Sequence, residues 1–137
     1  MNLPLELCLA TAFKESSFKH YKKDINGNLT VNESAGDYGL MQININAHPQ
    51  AFNNKGTFGD IINNWHDNVD YGLDYLKQCY EEAKSYGYTG SDLIKATYSN
   101  YNSGSCSAYK NPAHDAYGNV NGFWEVYTNQ DWINLIN

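Results

Sequence analysis

Three carboxylates in the first third of the chain have the types and spacing for acid–base chemistry. Glu15 closes an apolar stretch that ends Phe13-Lys14-Glu15-Ser16-Ser17-Phe18. Asp37 follows 22 residues later (37 − 15) within the polar, glycine-spaced run Gly36-Asp37-Tyr38-Gly39-Leu40-Met41-Gln42-Ile43-Asn44. Glu33 stands between them as a second candidate partner. Two carboxyl groups in contrasting surroundings are what cleavage of a glycosidic bond needs. One stays protonated and gives its proton to the leaving oxygen. The other stays ionised, to stabilise positive charge or activate water. Glu15 suits the first role, because a carboxyl at the rim of an apolar helix is held toward its neutral form by burial.

The elements that must position these groups can be read from periodicity. Pro4 suits a first helical turn, and Leu5, Cys8, Leu9, Ala12 and Ser16 recur at helical spacing, which predicts a core helix over about 4–17. Glu15 then lies at the edge of the buried stripe. Residues 19–32 are polar, with a turn at Asn26-Gly27-Asn28 and a short strand at Thr30 and Val31. The run 36–44 reads as an irregular passage into a short helix, and 46–59 as loop, including Asn53-Asn54-Lys55-Gly56. Asp60 is placed to cap a short helix through Trp65. Val69, Leu73, Leu76, Tyr80 and Ala83 mark a long amphipathic helix over about 67–86, stopped at Gly87. Gly72 inside it costs about 1 kcal/mol against alanine, which points to a close contact there. Ser91 can cap a helix whose face is Leu93, Ile94, Thr97, Tyr98 and Tyr101, ending at Asn102-Ser103-Gly104. A loop over about 105–118, a helix through Val120, Phe123, Trp124 and Tyr127, and an apolar tail from Trp132 to Ile136 complete the chain. The fold class is mainly α, with at most one small β-hairpin beside the cleft.

Composition sets limits. The 137 residues are enough for one domain with a real core, and 42% hydrophobic against 18% charged residues is a globular balance. Net charge is −6, which argues against nucleic acid and anionic membranes as partners. All nine basic residues are lysine, so a site built on bidentate guanidinium clamps is excluded. The 12 tyrosines exceed what a core of this size needs and suit a surface that stacks on sugar rings. Cys8, Cys79 and Cys106 form no CxxC pair and allow at most one disulfide; Cys8 and Cys79 read as buried thiols. No segment is long enough to cross a membrane. The start, Met1-Asn2-Leu3-Pro4-Leu5-Glu6, is not a signal peptide. The expectation is a single catalytic domain over 1–137, excised from a longer cell-wall protein or exported by another route. Asp24-Ile25-Asn26-Gly27-Asn28 begins like a calcium loop, but Leu29 and Ala35 replace its obligatory Gly and Glu. The four histidines, His20, His48, His66 and His114, have no metal-ligand spacing and suit solvent or cap roles. Neither metal nor cofactor is expected.

Glu15-Ser16, then Gly39-Leu40-Met41-Gln42-Ile43-Asn44, then Tyr101-Asn102-Ser103-Gly104 together resemble the lysozyme-like superfamily. The nearest resemblance is to soluble lytic transglycosylases of the secretion- and conjugation-associated kind, which show Glu-Ser, Gly-Leu-Met-Gln and Tyr-Asn-Ala-Gly in this order. Asn68-Val69-Asp70-Tyr71-Gly72-Leu73-Asp74-Tyr75-Leu76 is similar to the family's central helix, and 117–127 to its C-terminal helix. The resemblance covers nearly the whole chain. It implies cleavage of the β-1,4 bond between N-acetylmuramic acid and N-acetylglucosamine in peptidoglycan, with Glu15 as acid and then base. It implies that Ser16, Met41, Gln42 and Tyr101 meet the saccharide, with Asn102 holding its local turn and Tyr38 and His48 further along the cleft.

The departures keep alternatives open. Ser103 replaces the family's alanine, and Glu33 stands where these enzymes carry serine; goose-type lysozymes resemble this chain in having an acidic residue there. Asp37-Tyr38-Gly39 before Gln42-Ile43-Asn44 resembles hen-type lysozymes. A muramidase would hydrolyse the same bond with Asp37 or Glu33 as second carboxylate. A non-catalytic glycan-binding module is a third reading. The resemblance implies an extracellular or cell-wall location. Implied partners are glycan strands, a separate wall-binding or peptidase domain, and a secretion or conjugation complex. A monomer is expected.

Overall fold

A computed structural model describes residues 3–53 and 59–136. Four expected helices are present, α1 (Leu5–Ser16), α2 (Trp65–Ser85), α3 (Gly90–Ser103) and α4 (Asp115–Asn129), and a fifth, α5 (Ile133–Ile136), lies in the stretch expected only as an apolar tail. Five short strands accompany them: β1 (Tyr21–Lys23), β2 (Leu29–Val31), β3 (Glu33–Ser34), β4 (Asp37–Tyr38) and β5 (Ile43–Asn44). The protein is mainly α. The chain groups into two compact units, one formed up to Lys14 and from Tyr75 on, the other formed by Glu15–Asp74.

In the first unit, α3 and α4 pack around the fully buried rings of Tyr98 and Phe123, whose centroids are 4.3 Å apart with planes only 2° from parallel. Trp132 is buried beside the start of α5. A smaller cluster joins Ala83, Leu93, Ala96 and Cys106, with Tyr80, Tyr88 and Tyr109 packed against it. Half of the residues of α3 are buried, including polar Thr97, Ser99 and Asn100. Its hydroxyls bond locally: Thr97 Oγ1 donates to the Leu93 carbonyl at 2.8 Å and Ser99 Oγ to the Ser105 carbonyl at 2.7 Å. Satisfied in this way, they tolerate burial. Gly104 takes φ +80° and closes the helix, donating its N–H to the Asn100 carbonyl.

In the second unit, β1 and β2 form a hairpin over the turn that begins like a calcium loop. Asp24 Oδ1 accepts the N–H groups of Asn26 and Asn28, and Gly27 takes φ +82°. The passage over 36–44 is not a route into a helix. It belongs to a second antiparallel sheet, ordered β3-β4-β5, so there are two small sheets where one hairpin was expected. The β3–β4 turn has positive φ at both central residues, Ala35 (+54°) and Gly36 (+86°). That is the mirror-image turn whose twist matches paired strands, with alanine where glycine or asparagine is usual.

Several local expectations need correction. The buried stripe of α1 runs through Leu7, Ala10, Thr11, Ala12 and Ser16, while Leu5 is 66% exposed. Leu5 to Ala12 holds apolar or small residues at nearly every position, so several helical phases fit it. A hidden threonine carried the true one. Glu15, four residues past Thr11, still falls on the flank of that stripe and is half-buried. Asp60 caps a turn rather than a helix, accepting N–H bonds from Ile62 and Asn63 at 3.1 Å. Thr89, not Ser91, precedes α3. Short 3-10 turns lie at Pro49–Phe52 and Ala108–Lys110, inside stretches expected to be loop, and α4 begins at Asp115 with His114 Nδ1 as its cap. Met1, Asn2 and 54–58, part of the expected loop, lie outside the described residues.

All three cysteines are free thiols. Burial holds Cys79 up to about 12 and raises Cys8 and Cys106 as well. A maleimide or disulfide reagent at pH 8 should therefore modify Cys79 only after unfolding, with Cys8, the half-buried one, the first to react in the native protein. Mass mapping of the labelled peptides gives the order.

Gly72 is the close contact that its cost foreshadowed. A Cβ there would fall 2.5 Å from Met41 Cγ, with Met41 Cβ nearer still. Gly72→Ala gains about 1 kcal/mol of helix propensity but overpacks a filled site at about 1–3 kcal/mol. The crowded atom is a Cβ that cannot swing away, so the packing cost wins. A net loss of about 1–2 kcal/mol is expected in urea unfolding, and an unchanged midpoint would show that Met41 yields.

Candidate active site

The second unit is built around a turn, Gly39-Leu40-Met41-Gln42, gripped from two sides. Asn68 of α2 is fully buried. Its Oδ1 accepts the Met41 N–H at 2.8 Å, and its Nδ2 donates to the Tyr38 carbonyl at 2.9 Å and the Ile61 carbonyl at 3.1 Å. His20, 5% exposed, grips the other side. Its Nδ1 accepts the Leu40 N–H at 3.1 Å, which leaves the ring proton on Nε2 to donate to the Ile62 carbonyl at 2.8 Å. Gly39 must be glycine twice over. Its φ is +81°, and a Cβ would collide with the Asn68 amide and lie 2.6–2.7 Å from the His20 ring. Gln42 also has positive φ, +52°, and its Nε2 holds the turn by donating to the Gly39 carbonyl at 2.8 Å and the Asn32 carbonyl at 3.1 Å.

Glu15, Glu33 and Asp37 all belong to this unit. Glu15 stands one residue before the end of α1, whose chain then leaves through two left-handed residues, Ser17 (+54°) and Phe18 (+65°). Such backbone costs about 1–3 kcal/mol per residue and is kept where surroundings over-determine it. Glu33 Oε2 accepts the Gly36 N–H at 2.9 Å, so this carboxylate ties down its own hairpin turn. Asp37 Oδ1 accepts from Asn44 Nδ2 at 2.9 Å across the β4–β5 pair. Because Glu33 pairs with Tyr38 and Ser34 with Asp37, Glu33 and Asp37 sit on opposite faces of the sheet. They cannot serve one face together.

The remaining candidates divide by exposure. Met41, at 1% exposed and packed on Gly72, is a core residue and not a cleft lining. Ser16 is buried, and its carbonyl accepts the Lys19 N–H in the turn that ends α1. Gln42 is half-buried, and its Oε1 carries no hydrogen bond among the described residues. Tyr38 is half-buried with its ring edge-on to Phe52. His48 Nδ1 lies 2.9 Å from the Tyr71 hydroxyl, to which Gln50 donates at 2.7 Å. Burial pushes His48 below its ordinary value and Tyr71 above its own. In the first unit, Tyr101 is 9% exposed with its ring 5.3 Å from that of Tyr75. Asn102 is exposed and accepts from Asn119 Nδ2 at 3.0 Å. Among the described residues, no group of three or more His, Cys, Asp or Glu side chains is placed to hold a metal ion, and no helix is long and apolar enough to cross a membrane.

A family model described as the transglycosylase SLT domain matches residues 1–118, which include Glu15, the gripped turn and Tyr101. The chain belongs to the transglycosylase SLT domain family. Comparison with curated proteins and with solved structures returned no match. Members of the SLT family are lytic transglycosylases acting on peptidoglycan, and the domain binds peptidoglycan glycan strands.

Within this SLT domain, His20 and Asn68 are the residues that sequence reasoning undervalued. Both sit in polar stretches where a histidine or asparagine is ordinarily solvated. The available signal was Gly39 itself, since a glycine locked at positive φ needs neighbours to lock it. Asn68→Ala removes three bonds from a fully buried site and leaves the Met41 N–H and the Tyr38 and Ile61 carbonyls to find other partners. At about 1–3 kcal/mol for each buried group left unpaired, a loss of 3 kcal/mol or more is expected by thermal or urea unfolding. Asn68→Asp keeps the acceptor but loses both donors, and should fall between Ala and the unmutated chain only at acid pH, where the carboxyl is neutral.

Proposed function

We propose that this chain cleaves the β-1,4 bond between N-acetylmuramic acid and N-acetylglucosamine and forms 1,6-anhydromuramyl ends. Glu15 acts alone in both proton transfers. Its carboxylic acid protonates the bridging oxygen as the bond from that oxygen to muramyl C1 breaks. The oxocarbenium-like centre is stabilised by the substrate's own N-acetyl group. The Glu15 carboxylate then takes the proton of the muramyl 6-hydroxyl, whose oxygen closes on C1. The proton returns to Glu15 and no water is consumed.

The observation that carries this reading is the contrast among the three carboxylates of an SLT domain. Glu15 is half-buried at the end of α1. Glu33 and Asp37 are engaged in holding the small sheet and face opposite ways. A reaction that reuses one carboxyl group needs no second. Gln42 Oε1 is available to accept a saccharide N–H or hydroxyl, with Tyr38 and His48 as further contacts. The muramidase alternative rests on Asp37, whose second oxygen has no hydrogen bond among the described residues. The site of action under this proposal is the cell wall. The motif order supports a place among the secretion- and conjugation-associated enzymes, working as a monomer beside a wall-binding domain or complex.

Mass spectrometry of digested peptidoglycan separates the two reactions. Muramyl products lighter by one water are expected, and fully hydrated reducing ends would assign a hydrolase. Glu15→Gln should lower cleavage by about 10²–10⁴-fold with an unchanged melting temperature. Full activity in that variant would remove Glu15 from the chemistry, and binding without cleavage by the unmutated chain would indicate a glycan-binding module.

A further inference from the structure

The first unit carries a cleft of about 690 Å³, formed by its own residues and containing none of those discussed above for the reaction. Its size falls within the range of small-ligand sites, about 300–1,000 Å³. Its walls come from the end of α2 and the loop after it, the start of α3, and the loop after α3. They present two carboxylates, Glu82 and Asp92, and one ammonium, Lys110.

These opposite charges do not neutralise one another. Lys110 Nζ lies over the Tyr88 ring, 4.9 Å from its centroid, and 5.9 Å from that of Tyr109. Ring faces, not carboxylates, hold it. Asp92 has only a long contact, 3.5 Å, from the Tyr109 hydroxyl, which burial and then Asp92 push up to about 12. The Glu82 carboxylate has no hydrogen-bond partner among the described residues. Tyr86, 67% exposed, adds a broad ring at the rim. The cleft therefore keeps both signs of charge apart and unpaired, next to a surface suited to an aliphatic stem. A neutral glycan would make no use of this separation. A polyanion would be repelled by the two carboxylates, and a simple cation would compete with Lys110.

We propose that this cleft binds the zwitterionic end of a diamino acid in the peptide branches of peptidoglycan, its ammonium toward Glu82 and Asp92 and its carboxylate toward Lys110. This rests on peptidoglycan being the substrate. It gives a chain of net charge −6 a local hold on the wall that overall charge does not supply.

The test is titration of the full chain, by NMR or calorimetry, with a muramyl tripeptide ending in a diamino acid whose ammonium and carboxylate are free. Two derivatives, one acetylated on that ammonium and one amidated on that carboxylate, and a peptide-free chitin oligosaccharide are the comparisons. Each blocked derivative should bind about tenfold more weakly, as should the free peptide to Asp92→Asn and to Lys110→Gln, both exposed positions. The same variants should cleave peptide-free glycan strands at the unmutated rate. Equal binding of the blocked peptides, or affinities unmoved by the two variants, would overturn the proposal. Charge-dependent binding without any glycan cleavage would support the cleft while overturning the reaction assigned to Glu15.

Discussion

One buried amide holds the second unit in register. Asn68 offers an acceptor to the Met41 N–H and two donors to the carbonyls of Tyr38 and Ile61, so two separate stretches of backbone meet on a single side chain. His20 closes the same turn from the other side. Each such bond contributes only about 0.5–1.5 kcal/mol net, but each buried group would cost about as much or more if left unmade. The asymmetry makes the arrangement all-or-none. With the amide in place, Gly39 can adopt its left-handed conformation, Met41 turns inward onto Gly72, and Gln42 is carried to the half-buried position where its Oε1 stays unbonded.

The small sheet follows from this constraint. Its strands are two residues long, too short to be stable alone, and they persist because the turn they lead into is fixed elsewhere. Glu33 and Asp37 add bonds from within, one to a turn N–H and one to a facing asparagine. Carboxylates used this way are structural parts of the strands.

Much of this was legible in the sequence. The long helix, its glycine contact at Gly72 and the close of α3 at Gly104 all follow from spacing and from the physics of glycine. The β3-β4-β5 sheet was not legible, because its two-residue strands are too short to show alternation and its mirror-image turn uses Ala35 in place of the usual residue. The phase of α1 was hidden by a run in which almost any face looks apolar. The family resemblance places Met41 in the cleft, yet its side chain is buried in the core against Gly72. Polar residues that are buried because they bond, such as Asn68, His20 and Ser99, leave no hydrophobic signature.

The thiols carry a consequence beyond packing. All three are raised by burial, and Cys79 keeps its proton up to about 12, so the reactive thiolate is scarce at any physiological pH. No bridge joins them, so reducing surroundings have nothing to break, and oxidising ones find little thiolate to attack. The fold therefore depends on no intramolecular bridge, and it needs none to form or break when its surroundings turn oxidising or reducing.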